Sequence, residues 1–350
     1  MAPDHLPSGT TLPNAILSSV GSAWHDDAAS PAAPFGTEGK LRLLTVHAHP
    51  DDEASKGAAT AAKYVSEGVE VLVVTATGGE RGDILNPGFQ VPLGYEFETL
   101  EGKRAVRRLE MQASVAALGV QHHWLGFNDS GFPEGEPPPP LPTDSFAATP
   151  AELAAAPLVE AVRRFRPHVM VTYDPSGGYP HPDHVYTHVV SAIAWEAAGN
   201  AERYRVAGGA PAWAPLKLYY NHGFSLARLQ AIHNAIEATG QESPFGDWVK
   251  ERAARDSAER TVTTRIDVAA FFPAWDASLR AHASQVDPDG FFFAVPRDIE
   301  ARVWPWDEYE LAASRVPVPE LGGMSTAELG QVAWPVGQFE TDLFAGITPV

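Results

Sequence analysis

The sequence contains no cysteine. That absence removes disulfides and thiolate chemistry, and it leaves histidine and oxygen ligands for any bound metal. Basic residues are scarce: 25 Lys and Arg stand against 44 Asp and Glu, a formal net charge of -19. A nucleic-acid phosphate backbone calls for a basic stripe, and none is present, so no nucleic-acid partner is expected. The same acidity argues against an anionic membrane surface. No apolar run is long enough to span a bilayer. Residues 1–40, from MAPDHLPSGT to FGTEGK, hold no basic start followed by an apolar run, the mark of a secretory leader. The expectation is a cytoplasmic protein with no membrane partner, and composition leaves its oligomeric state open.

What is present is a 350-residue chain with 44% hydrophobic residues, enough for a sizeable core. Residues 1–40, rich in Pro, Ser, Gly and Ala, read as a loose extension. Strand-like LRLLTVHA (41–48) leads to a helical stretch at 57–68 closed by Gly68, and then to the β-rich run 69–77. Helix 99–118, strand 122–127, helix 150–165, strand 167–174 and helix 182–198 continue the alternation. A strand at 216–223, a helix at 225–238, a strand-like run at 263–272 and a helix at 273–285 follow. Residues 310–350 read as irregular. Alternation of this kind predicts an α/β fold, a mostly parallel sheet with helices on both faces. Two long loops, 79–98 and 131–150, follow carboxyl ends of strands, where open α/β sheets place ligands.

Two short clusters carry the chemistry. HAHPDDE (47–53) sits where a buried strand turns into a helix. A helix N-terminus favours acids through its dipole, which accounts for one or two of them. It does not account for His49 and Asp52 three residues apart with Asp51 between them. GGYPHPDH (177–184) repeats the arrangement behind the apolar strand 167–174, with His181 and His184 three apart and Asp183 between. Two such turns at the carboxyl ends of parallel strands can meet in one crevice. Three ligands can be drawn from them, His49, Asp52 and His184, a His/carboxylate/His set of the kind a catalytic zinc uses, and such ligands also suit iron or manganese.

A metal of this kind activates water and polarises a carbonyl. Asp51 is the nearest unassigned acid for the role of general base. His181 suits either an oxyanion or a leaving amine. Asp183 suits the orientation of a neighbouring histidine. Tyr179 is either a hydroxyl donor to a tetrahedral oxygen or a packed aromatic. The TGGERG turn (77–82) has neither the phosphate-loop nor the dinucleotide spacing. Its Glu80 and Arg81 face either a polar substrate or each other's neighbours in a salt bridge.

The pair of motifs, in this order and each behind a strand, resembles the LmbE-like, or GlcNAc-phosphatidylinositol de-N-acetylase-like, zinc hydrolases over about residues 41–300. The resemblance implies a Rossmann-like core and Zn2+ (Fe2+ or another divalent metal as the alternative) held by His49, Asp52 and His184. It also implies Asp51 as general base and His181 with Tyr179 as transition-state stabilisers. By this reading residues 41–200 form the metal-binding core. Residues 201–350 complete the fold and the substrate pocket, with a smaller C-terminal subdomain as one wall of the cleft.

The stretches HAHPDDEASKGAATAAKYVSEG, VVTATGGERGDILNP, RRLEM and LRAHASQVDPDGFF resemble a branch of that family acting on small-molecule thiol conjugates. That branch splits the amide between glucosaminyl-inositol and an N-acetylcysteinyl S-conjugate, releasing a mercapturic acid. The alternative is a deacetylase of N-acetylglucosaminyl-inositol or another amino sugar. Carried over by motif, Arg107 and Asp129 bind sugar or inositol hydroxyls, Lys56 meets the thiol-derived half, and Gln285 with His282 approaches the pocket. Ala76 departs from the branch, which is expected to carry cysteine there.

Overall fold

The computed structural model describes residues 32–205, 209–223, 225–254, 260–323, 334–335 and 337–348. Most of the 1–40 extension lies outside the described residues. Its last part is irregular but attached: Gly36 N–H donates to Arg164 O, and Thr37 N–H donates to Glu70 Oε2 at 2.8 Å.

Among the described residues, seven strands form one sheet: β1 (Arg42–His47), β2 (Glu70–Thr77), β3 (Gln121–Phe127), β4 (Val169–Thr172), β5 (Lys217–His222), β6 (Thr264–Asp267) and β7 (Trp306–Ser314). Their order is β3-β2-β1-β4-β5-β7-β6. The first five run parallel, and β7 lies antiparallel between β5 and β6. β1 is buried along its whole length, as the continuous run RLLTVH requires of a strand covered on both faces.

Successive side chains of one strand serve opposite layers. Leu43, Val71 and Val169 join a core with α2 (Ala58–Ser66) and α8 (Phe272–Ala281). Leu44, Leu72 and Met170 join another with α4 (Ala151–Phe165) and α5 (Pro182–Ala197). A four-residue helix, α1 (Asp52–Ser55), precedes α2, and α3 (Leu100–Leu118) follows β2. The smaller subdomain comprises α6 (Leu226–Glu237), α7 (Gly246–Ala253) and α9 (Arg297–Val303), gathered on Leu229, Ile232, Phe245, Val249 and Val295. No helix among the described residues is long and apolar enough to cross a membrane.

The C-terminal third departs from the sequence reading. The region expected to be irregular, 310–350, opens inside β7, an antiparallel strand in which Tyr309 and Leu311 are buried. The strand-like run 263–272 stops at Asp267, and α8 starts at Phe272 with Pro273 in its first turn, where the missing N–H costs nothing. The short helices α7 and α9 were not anticipated.

Candidate active site and metal centre

Strand order reverses between β1 and β4. The chain leaves β1 for β2 on one side and returns through β4 on the other, so a crevice opens beyond their carboxyl ends. HAHPDDE leaves β1 there, and GGYPHPDH leaves β4 there. Sheet topology therefore brings together two motifs more than a hundred residues apart in sequence.

The first motif turns at once into α1. Asp52 N–H donates to His49 O, and Asp52 Oδ2 accepts from His49 N–H at 2.9 Å. The second motif bends through Gly177, at φ 75°, before α5. A Cβ on Gly177 would lie 2.7 Å from His184 Cβ, so only glycine lets this loop close over that histidine. His181 is the N-cap of α5, its Nδ1 accepting from Asp183 N–H at 3.1 Å.

Ligating atoms of His49, Asp52 and His184 lie within 4.8 Å of one another. His184 Nδ1 donates to Gly177 O at 3.0 Å, so a neutral ring carries its lone pair on Nε2. That Nε2 is buried, makes no hydrogen bond, and faces Asp52 Oδ2 at 3.2 Å. Two buried acceptors that close need a proton or a metal cation between them. His49 completes the set with Nδ1 at 3.5 Å from the same carboxylate oxygen. Its Nε2 is taken by Asp183 Oδ2 at 3.2 Å, and Asp183 Oδ2 also accepts from Ser130 N–H.

A second grouping, His49, Asp129 and His181, is also close enough to hold an ion. Several of its atoms already have partners: Asp129 accepts from Arg81 N–H and Gly131 N–H, and His181 Nδ1 is used in capping. The orphaned His184 Nε2 favours the first set. Donors and charge there fit a divalent cation.

Electrostatics agree. Burial alone would lower the His49 pKa, but Asp129, Asp183 and Asp52 around it raise it well above the usual value. Burial would raise Asp52, yet His184 and Lys56 hold it well below the carboxylate range. Asp51 is raised, by burial first and by Asp52 beside it, with Arg107 opposing. His181 is lowered to about 3, by burial and then by His49. A neutral His181 whose Nδ1 accepts a hydrogen bond carries its proton on Nε2.

The cleft over these residues measures about 520 Å3, and its lining includes His49, Asp51, Arg107, Asp129, Tyr179 and His181. The side chain of Asp51 is 27% exposed and accepts from Arg107 Nη2 at 2.6 Å. Tyr179 stands at the rim, its ring centroid 4.4 Å from that of His184. Both long loops contribute, through Arg81, Asp83 and Leu85 on one side and Phe132 and Glu134 on the other. Gln285 reaches the cleft from the C-terminal part.

Other expected site residues lie elsewhere. Glu80 is fully buried, pairing with Arg104 at 2.8 Å and accepting from Asp129 N–H, which is the salt-bridge alternative. Asp183 is buried behind His49. Lys56 turns its ammonium to Asp52 Oδ1 at 2.8 Å and is absent from the cleft lining. His282 is fully buried against Glu53 Oε1 at 2.5 Å. Sequence reading missed Tyr173. Its ring stacks on His184 with centroids 4.5 Å apart, and its hydroxyl accepts from Ala48 N–H. A tyrosine at the carboxyl end of a central strand, just ahead of the ligand loop, was the available signal.

A mostly parallel α/β sheet with a His/Asp ion cradle at its switch point, beside an acid and a neutral histidine, defines a metal-dependent hydrolase. The sequence profile described as PIG-L, GlcNAc-PI de-N-acetylase, matches residues 44–195. A mycothiol S-conjugate amidase of Streptomyces coelicolor is 50% identical over 308 residues, covering 88% of this chain and 98% of that protein. A 1D-myo-inositol 2-acetamido-2-deoxy-alpha-D-glucopyranoside deacetylase of Thermobispora bispora is 38% identical over 313 residues, 87% of this chain and 98% of that one. Another, from Streptomyces avermitilis, is 35% identical over 325 residues, 88% and 98% of the two chains. The chain belongs to this LmbE-like, or PIG-L, family, and it is a metal-dependent hydrolase of amide or acetamido bonds.

Proposed function

We propose that the chain hydrolyses the amide on the amino group of a glucosaminyl-inositol, and that the acyl half is the N-acetylcysteinyl part of a mycothiol S-conjugate. The products are glucosaminyl-inositol and a mercapturic acid. One observation carries the hydrolytic reading: the orphaned His184 Nε2 faces Asp52 beside His49, and His49 and Asp51 both line the cleft. The amidase substrate rests on one relative, at 50% identity. Deacetylases are more numerous among the relatives, and by that measure they favour a second reading, removal of acetyl from the same amino sugar.

The mechanism is common to both. His49, Asp52 and His184 would hold the ion, with zinc best suited to this ligand set. When bound, it lowers the pKa of water and polarises the substrate carbonyl. Asp51, aimed by Arg107, takes the water proton and returns it to the leaving amine, so the two half-reactions balance. His181 donates from Nε2 to the oxyanion that develops, and Tyr179 closes the same side. Asp183 fixes the His49 ring from behind. Arg81, Asp129 and Gln285 offer polar contacts to sugar and inositol hydroxyls, while Leu85 and Phe132 give the rim an apolar part.

The test is hydrolysis of a fluorescent mycothiol S-conjugate beside N-acetylglucosaminyl-inositol, with chelated and metal-restored enzyme. A kcat/KM higher for the conjugate by at least about tenfold is expected, a difference of 1.4 kcal/mol in transition-state binding. Preference for the acetylated sugar overturns the amidase reading and establishes the deacetylase.

A further inference from the structure

We infer that Glu53 is a positioning residue that holds the Asp51 backbone in a strained conformation, and that Ser114 and His282 lock Glu53 in place. The inference rests on the reading that Asp51 is the general base.

Asp51 has φ 111° and ψ -24°. The other non-glycine residues with positive φ among those described, Arg166 at 56° and Tyr204 at 49°, sit in the ordinary left-handed region. Asp51 lies beyond it, where an L-residue persists only if its surroundings over-determine it. The surroundings are specific. Asp51 N–H donates to Glu53 Oε2 at 2.9 Å. Asp51 O accepts from Ala54 N–H and Ser55 N–H, beginning α1. Its side chain is drawn to Arg107. The backbone is thus tied on both sides of the strained bond.

Glu53 itself is 2% exposed and does not line the cleft, so it does not touch substrate. Its other oxygen, Oε1, accepts from Ser114 Oγ at 2.6 Å and from His282 Nε2 at 2.5 Å. These partners come from α3 and from the end of α8, and they hold the carboxylate from the side opposite the cleft. The geometry has a purpose. Consecutive residues of a regular helix point about 100° apart, so Asp51 and Asp52 cannot both serve one centre from a helical turn. The glycine-like φ at Asp51 lets its carboxylate face the cleft while Asp52 faces the histidines. His282, expected from sequence at the substrate, acts through Glu53 instead.

Glu53→Gln isolates the effect. Ser114 and His282 donate to Oε1, so the amide oxygen settles there and its NH2 group meets the Asp51 N–H, donor against donor. In the metal-loaded enzyme, kcat is expected to fall by at least about tenfold on whichever amide is turned over, since small misplacements of a reacting group carry such costs. KM and metal affinity, measured by chelator competition, are expected to stay within about threefold. Ser114→Ala, a milder change, moves kcat in the same direction.

A stability measurement needs no substrate. Asp51→Gly is expected to melt higher than Asp51→Ala, and that advantage shrinks in the Glu53→Gln background, where the strain is relaxed. An unchanged kcat, a parallel loss of metal affinity, or an equal glycine advantage in both backgrounds overturns the inference. A wild-type enzyme that cleaves neither amide sinks the proposed function, and the melting comparison still decides the role of Glu53.

Discussion

His49 uses both ring nitrogens, one toward Asp52 and one toward Asp183, and that division sets the roles of its neighbours. With both His49 nitrogens engaged and His184 absent from the cleft lining, His181 remains as the imidazole donor that a substrate can reach. Replacing His181 with alanine is expected to lower kcat by about 10²- to 10³-fold, the cost of losing one oxyanion donor. Metal content should be unchanged, because His181 Nδ1 is used in capping and not in the ion cradle. Loss of the ion along with activity would place His181 among the ligands. At this scale the spacing His-x-x-Asp and His-x-x-His was legible, because three residues is one turn. Lys56 was not: an extended backbone at φ -141° and ψ 99° ends α1 there and turns the ammonium back to Asp52. His282 was hidden for a related reason, since its partner Glu53 lies 229 positions away.

Among elements, the ones that position the site were readable, and the late ones were not. β1, β2 and β4 are short apolar runs with both faces covered, and each is followed by glycine or a helix-starting turn. Pro182 in the first turn of α5 with His181 as its cap is an equally local signal. β7 reads WDEYELAAS, with acids at Asp307, Glu308 and Glu310 that look like a surface segment. The fold satisfies each of them. Asp307 accepts from Thr60, Glu308 pairs with Arg265 at 2.9 Å, and Glu310 pairs with Arg260 at 2.8 Å. Those partners sit on other elements, so a single sequence window does not show that the acids are hydrogen-bonded or paired. α7 and α9, at eight and seven residues, are too short for helical periodicity to stand out.

Across the molecule, buried ionisable groups tie stability to pH. His168 is fully buried, its Nδ1 accepting from Arg42 N–H at 3.1 Å. Burial first, then Arg42 and Arg166, lower its pKa to about 4. The unfolded chain takes up that proton near 6.5, so the unfolded state binds more protons once pH falls below that value. His168 therefore stabilises the fold fully above 6.5, and this contribution is lost as pH falls through about 4, to a limit of about 3 kcal/mol. Glu53, lowered to about 2 against burial by His282 and Ser114, extends the loss to more acid solution. Urea unfolding at pH 7.5, 6 and 5, with chelator present throughout, is expected to show falling stability. His168→Gln should flatten the upper part of that slope. Rising stability toward pH 5 would contradict the assignment.

The central claim is that this chain is a hydrolase working through an ion held by His49, Asp52 and His184. Metal content and turnover, measured on wild type and His184→Ala, test it most directly. One divalent ion per wild-type chain is expected. Chelation should abolish turnover and metal should restore it, and His184→Ala should weaken binding by at least about 100-fold. Full turnover by chelated enzyme, or wild-type affinity in His184→Ala, would contradict the claim.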